Sequence, residues 1–256
     1  MSLFDLTNKV AVVTGSTRGI GRAIASEMAM HGARVVISSR KVDACKKVAT
    51  EINSAGGEAI AIPCNISKKA ALKNLFSQTR KNWKHIDILV SNAAVNPYLG
   101  PTMETPDHAF EKVMATNVKS NQWMAQMVGP EMAQRKDGVI IIISSIGGLR
   151  GSLNLGAYAI SKAADMQMAR NLAVELGPSN VRVNCIAPGL VKTDFARALW
   201  ENPKLAHKRT AETPLRRLGD PRDIAGLAIY LASQAGAWTT GQTLVVDGGV
   251  TAMGLG

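Results

Sequence analysis

Short apolar runs rich in valine and isoleucine alternate with longer amphipathic stretches along most of the chain, and no other feature limits its fold so strongly. A strand with one face in water alternates polar and apolar residues, whereas a strand apolar throughout is covered on both faces. Lys9-Val10-Ala11-Val12-Val13, Arg34 to Ser39, Glu58 to Cys64, Ile86 to Val90, Val139 to Ser144, Val181 to Ile186 and Thr243 to Val246 are largely of the second kind. Between them, helices are predicted over Ile20 to His31, Val42 to Ala55, Lys68 to Trp83, Phe110 to Ala133 and Tyr158 to Leu176. Gly129-Pro130 is expected to kink or split the fourth. Parallel strands need crossovers, and right-handed helical crossovers cover both faces of the sheet. The expectation is one α/β domain over 1–256, built on a doubly wound parallel sheet. Only Gly189 to Pro221 lacks rhythm, and an insert after a strand's carboxyl end is expected to cover a ligand crevice.

Composition removes several other classes. With 46% apolar and 19% charged residues in a length of 256, the chain can bury a core and is not disordered as a whole. The start, MSLFDLTNKVAVV, has no basic segment ahead of a long apolar one, so no signal peptide is expected. The chain ends Met253-Gly254-Leu255-Gly256, without a peroxisomal tripeptide. Val139 to Ile143, the most apolar run, falls far short of the roughly 20 residues of a membrane span. Cys45, Cys64 and Cys185 are odd in number and far apart, which reads as reduced thiols of a cytoplasmic protein. The four histidines lack metal-ligand spacing, so no metal is expected. Thirty Lys and Arg against 19 Asp and Glu leave +11. The basic residues are scattered as on a solvated surface rather than gathered into a stripe, so neither nucleic acid nor membrane is expected as a partner.

The first strand runs into Thr14-Gly15-Ser16-Thr17-Arg18-Gly19-Ile20-Gly21, three glycines at a strand-to-helix turn. Any sharp turn of this kind favours glycine. In this context, however, glycine also lets backbone approach a pyrophosphate while the helix N-terminus offers N–H groups to its charge. The pattern is that of a Rossmann-type dinucleotide site. An NAD site places an acid about 20 residues further on, to accept from the ribose 2′-OH. Here that place reads Ser38-Ser39-Arg40-Lys41. A carboxylate there would repel a 2′-phosphate, whereas the planar fork of Arg40 can grip one, with Arg18 in reach. NADP(H) is the expected cofactor, the plainer alternative being that Arg40 merely opens a solvated helix.

Ser144-Ser145 closes the fifth strand, and thirteen residues past Ser145 stands Tyr158-Ala159-Ile160-Ser161-Lys162. Tyr158 and Lys162 are i, i+4 neighbours on one helix face. A free phenol titrates near pH ~10, too high for work at neutrality, and an adjacent ammonium pulls it down. Alone, such a pair is common on helix surfaces. Beside a nucleotide turn and a strand-end serine it points to acid-base chemistry on an oxygen.

With these landmarks, the chain resembles the short-chain dehydrogenase/reductase family over essentially its whole length. Thr14 to Gly21, Ser91-Asn92-Ala93-Ala94, Asn117, Ser145, Tyr158, Lys162, Pro188-Gly189, Thr193 and Val246-Asp247-Gly248-Gly249 carry the resemblance. It implies that Tyr158 is the general acid for carbonyl reduction and that Ser145 orients the carbonyl. It further implies that Lys162 holds the nicotinamide ribose and that Asn117 supports a water-linked proton relay. The cofactor set it implies is Gly15, Thr17, Arg18, Gly19, Ile20, Ser39, Arg40, Asn65, Ile66, Asn92, Ala93, Ala94, Tyr158, Lys162, Pro188, Gly189, Val191 and Thr193. Two departures stand out: Ala94 where the family usually has glycine, and Asn65 where it usually has an acid near the adenine. Ser91 to Gly100 and Ala187 to Trp200 are similar to the branch of NADPH-dependent carbonyl and retinal reductases. The resemblance also implies a homotetramer.

The expected substrate is a medium-sized, largely apolar carbonyl compound. The candidate pocket walls, Val95, Tyr98, Ile146, Leu149, Leu153, Leu190, Phe195, Leu199 and Trp200, are mostly apolar. Alternatives are a 3-oxoacyl thioester reductase of the same family and a non-catalytic NADPH-binding protein. A nucleotide-sugar epimerase would need a larger second domain than 256 residues allow.

Overall fold

A computed structural model describes residues 2–254. The tail read above as Met253 to Gly256 ends in two residues outside that range. In chain order the elements are β1 (Val10–Thr14), α1 (Gly19–Met30), β2 (Arg34–Ser38), α2 (Val42–Ser54), β3 (Glu58–Ala61), α3 (Lys69–Trp83) and β4 (Ile88–Ser91). There follow α4 (Asp107–Val113), α5 (Ser120–Arg135), β5 (Gly138–Ile143), α6 (Gly156–Leu176), β6 (Val181–Pro188), α7 (Pro203–Ala211), α8 (Pro221–Ala232) and β7 (Thr243–Val246).

The seven strands form one sheet in the order β3-β2-β1-β4-β5-β6-β7, every pair parallel. Successive residues of a strand face opposite sides. In β1, Ala11 and Val13 join a core with α1, α2 and α8, while Val12 joins a core with α3, α5 and α6. This is why the strands read as continuous apolar runs, and it makes the fold a doubly wound α/β sheet.

Besides α7, which forms within the stretch that lacks rhythm, two stretches differ from the sequence expectation. The helix predicted over Phe110 to Ala133 is interrupted at Met114–Lys119, a π-helical segment, and runs through Gly129-Pro130 unbroken. Pro130 forfeits a backbone hydrogen bond, but buried Val128 and Met132 on either side anchor α5 to the core. The second difference is α8, which the alternation pattern does not reveal. Asp220 accepts from the Arg222 amide at 2.9 Å, and Asp223 accepts from the Asp220 amide at 2.7 Å, with Pro221 at the first helical position. This capping box launches a helix whose Ile224, Ala225, Ala228 and Ile229 are buried in the same core as α1. All three cysteines are buried and free.

The capping box gives a stability prediction. Asp220→Ala leaves helix N–H groups of α8 unpaired and should lower unfolding free energy by about 1 kcal/mol. Denaturant titration should show a reduced midpoint with an unchanged slope.

Candidate active site

All seven carboxyl ends lie along one edge, and the strand order reverses direction between β1 and β4. That reversal opens the crevice in which doubly wound sheets take ligands. β1 and β4 stay paired through Val13 and Val90, and past that pair the Thr14 hydroxyl ties the two strand ends together. It accepts from the amides of Asn92 and Ala93 at 3.0 and 3.2 Å. The Asn92 amide in turn donates to the carbonyls of Thr14 and Gly15, at 2.8 and 3.3 Å. Buried Ser16 ties the same turn to β2 through bonds to Val13 and Ser38.

The glycine turn is shaped as a cradle. Gly15 and Gly19 have φ of +66° and +54°, a left-handed backbone that suits glycine. A Cβ at Gly21 would stand 2.5 Å from the Gly15 carbonyl oxygen and strike the Asn92 amide. The turn leads into α1, whose N-terminal N–H groups suit a pyrophosphate. Thr17, Gly19 and Ile20 are half-buried along this turn.

Around it the structure gathers the other predicted residues. A Cβ at Gly19 would meet the Thr193 methyl at 3.1 Å, so the segment after β6 folds back over the turn. That segment is pinned by the pairing of Val191 with Gly219. Pro188 ends β6 and Gly189 donates to Val246 at 2.9 Å. Arg18 is exposed and meets Asp194 at 3.4 Å, while Asp194 also holds Arg197 at 2.8 Å. At the end of β2, the Ser39 hydroxyl touches Cys45 Sγ at 3.3 Å. Arg40 is exposed and has no hydrogen-bond partner among the described residues. Asn65 spends one side-chain oxygen on Ser67, accepting from its amide and hydroxyl, and Ile66 is buried beside it. Ala93 and Ala94 are half-buried.

The candidate proton-transfer groups meet between the ends of β5 and α6. Ser145 is extended, half-buried, and accepts from the Gly147 amide at 3.0 Å. The loop after it presses on α6, since a Cβ at Gly148 would stand 2.6 Å from the backbone of Lys162 and Ala163. Lys162 Nζ lies 5.7 Å from the centre of the Tyr158 ring, and the Phe195 ring flanks Tyr158 at 5.9 Å between centroids. Asn117 is fully buried in the π-helical segment, where its side chain clasps Val95 at 2.9 and 3.0 Å and donates to Ser161 Oγ at 3.0 Å. The side chain is therefore occupied in positioning, joining the loop after β4 to α6.

Burial pushes the Tyr158 phenol above its ordinary value, against the opposing pulls of Lys162 and the Ser145 hydroxyl. The lysine thus acts in the sense expected from the sequence, but burial wins and the phenol stays protonated at neutrality. Burial likewise opposes the charge of Lys162, yet Asp165 and Tyr158 carry it to a net rise. Asp165 and Asn121 are functional neighbours that sequence reasoning missed. The available signals were short ones, Asp165 three residues after Lys162 and Asn121 four after Asn117 on helical spacing.

Comparison with known proteins agrees with this geometry. A family model described as Enoyl-(Acyl carrier protein) reductase (adh_short_C2) matches residues 15–251. The chain is 41% identical over 244 residues to Dehydrogenase/reductase SDR family member 4 of Bos taurus, covering 95% of this chain and 88% of that one. A solved 7 alpha-hydroxysteroid dehydrogenase with NADH and 7-oxo glycochenodeoxycholic acid superposes with a TM-score of 0.92 at 38% identity, over 96% of each chain. A gluconate 5-dehydrogenase from Burkholderia cenocepacia with NADP and tartrate does so with a TM-score of 0.93 at 29% identity, over 98% of each.

The cradle fits a nicotinamide dinucleotide, and it can be closed by one methyl group. Gly21→Ala should force the Gly15 carbonyl and Asn92 apart, an overpacking cost of roughly 1–3 kcal/mol. Fluorescence titration should show NADPH and NADH binding both weakened at least tenfold. Equal affinity in the variant would show that the turn does not hold the cofactor.

Proposed function

The chain belongs to the short-chain dehydrogenase/reductase family, and on that premise we propose that it transfers a hydride between NADP(H) and a medium-sized, largely apolar ketone, aldehyde or secondary alcohol. The observation that carries this is the half-buried Tyr158 phenol beside Ser145 and Lys162, at the sheet edge that also holds the glycine cradle. When bound, the nicotinamide supplies or takes up the hydride.

In the reductive direction Tyr158 gives its proton to the carbonyl oxygen, and the raised phenol of this site is in the right form to do so. Ser145 donates to the same oxygen and orients it. Lys162 places an ammonium beside the phenol and reaches the nicotinamide ribose. Asn117 holds the loop after β4 against α6 so that the walls of the crevice keep their spacing. With the cofactor bound, Thr193 and the backbone from Pro188 to Val191 would hold the carboxamide, and Asn92 to Ala94 would line the adenosine side. Alcohol oxidation runs the same steps backwards.

Cofactor choice rests on Ser39 and Arg40. The two solved relatives carry different cofactors, NADH in the steroid dehydrogenase and NADP in the gluconate dehydrogenase. The absence of an acid at Ser39 and the unpaired guanidinium of Arg40 support the phosphorylated one. Arg18, already facing Asp194, adds less. For the substrate, half-exposed Phe195 flanks Tyr158, and exposed Leu149 ends the short turn that follows Ser145. This favours an oxo compound nearer to the steroid of one relative than to the sugar acid in the name of the other. Among the described residues no helix is long and apolar enough to cross a membrane. Free buried thiols support a cytoplasmic setting, and exposed Ile160, Val174 and Trp238 offer apolar surface for the family's tetramer.

Tyr158→Phe keeps the ring and removes the proton donor. It should cost ~10²–10⁴-fold in kcat, with NADPH affinity nearly unchanged. Wild-type kcat in that variant would dismiss Tyr158 as the acid. Ser39→Asp with Arg40→Ala puts a carboxylate where a phosphate would sit. The ratio of kcat/KM for NADPH over NADH should exceed one in the wild type and fall ~10–100-fold in the double variant.

A further inference from the structure

Lys162 sits in a built polar chamber. An ammonium has three N–H donors, and two are committed, to the Ile143 carbonyl at 2.8 Å and to Asp165 Oδ2 at 3.0 Å. The third is left for the side where Tyr158 stands, 5.7 Å away at the ring centre. Asp165 itself is fully buried, and its other oxygen accepts from Asn121 Nδ2 at 2.9 Å. Asn121 keeps its own carbonyl oxygen buried without a partner, so the amide is turned to serve the carboxylate. Burial raises the Asp165 carboxyl, against the Lys162 ammonium and the Asn121 amide, whose donors on its two oxygens favour the ionised form.

The consequence concerns charge. A phenol beside a lone ammonium is drawn toward phenolate, whereas one beside an ion pair is drawn less, since Asp165 opposes the pull of Lys162. No other charged group completes the set. On α6 the titratable neighbours are Tyr158, Lys162, Asp165 and the more distant Arg170. From β6 comes Cys185, which donates to the Asp165 backbone at 3.3 Å and is held as a neutral thiol by burial. β5 contributes only the Ile143 carbonyl, α5 the uncharged Asn121, and the segment over the site the Phe195 ring.

We propose that Asp165, held by Asn121, is a positioning residue for the reaction: it fixes Lys162 as an oriented ammonium and offsets its charge at Tyr158, so that the phenol remains the proton donor of carbonyl reduction. The proposal rests on the reading of Tyr158 as the acid. The offset biases the enzyme near neutrality toward giving a proton, and oxidation becomes the alkaline direction.

Asp165→Asn tests it. The amide matches the carboxylate in shape, and Asn121 can turn to accept from it, so the chamber stays filled. Ultraviolet difference titration, read against the same protein carrying Tyr158→Phe, reports the phenol directly. Its midpoint should fall by on the order of one pH unit. The alkaline limb of kcat/KM for NADPH-dependent ketone reduction should move down with it. Asn121→Ala, which strips the carboxylate of a donor, should move both readouts the same way by less, and Asp165→Glu should restore them. A midpoint unchanged or raised in Asp165→Asn overturns the proposal, as does a lowered melting temperature with both pH readouts unmoved. Were Asp165→Asn unable to fold, Asn121→Ala would decide by the same readouts. If the wild type reduced no carbonyl compound, the functional reading would fail, while the phenol titration would still decide the role of Asp165.

Discussion

Everything in this molecule depends on parallel pairing of strands. A parallel strand cannot turn straight into its neighbour, so each pair needs a long crossover. Seven strands running one way then deliver seven carboxyl ends to one edge. Catalysis needs several side chains from distant parts of a sequence at one spot, and this edge supplies them without any special device. The glycine turn comes from the end of β1, Asn92 to Ala94 from the end of β4, Ser145 from the end of β5 and Pro188 to Thr193 from the end of β6. Where strand order reverses, the β1–β4 ladder ends at Val13 and Val90, and Thr14 and Asn92 carry the tie past it with side-chain hydrogen bonds.

The legible part of the fold was the part governed by period. Strands covered on both faces run apolar in consecutive places, so β1, β2, β4 and β5 stand out from the sequence, whereas β6 sets Arg182 and Asn184 between its first apolar residues. Boundaries governed by hydrogen bonds were harder. The π-helical turn at Met114–Lys119 leaves no mark of composition, because it changes which carbonyl an amide reaches and not which residues are buried. Gly129-Pro130 carried a strong local signal for a break, yet packing of α5 overrode it. The start of α8 was marked by Asp220-Pro221 and Asp223, a capping signal that an apolar-period reading passes over.

The same division holds for the site. Gly15, Ser145, Tyr158 and Lys162 are visible because their spacing is tied to the ends of regular elements. Asp165 and Asn121 meet only across helices, 44 residues apart in the chain. Neither looks unusual in the sequence, since an Asp three residues after a Lys is ordinary helix-surface chemistry. Burial alone converts that pair from a screened surface contact into a fixed charge arrangement.

The cysteines illustrate how burial also subtracts chemistry. Burial pushes the Cys64 thiol up to about 11 and lifts that of Cys185 further, while Cys45 is enclosed behind Ser39. Thiolate is the form that peroxides and alkylating agents attack. A protein that moves electron pairs between bound molecules therefore keeps the thiols of Cys64 and Cys185 out of the traffic.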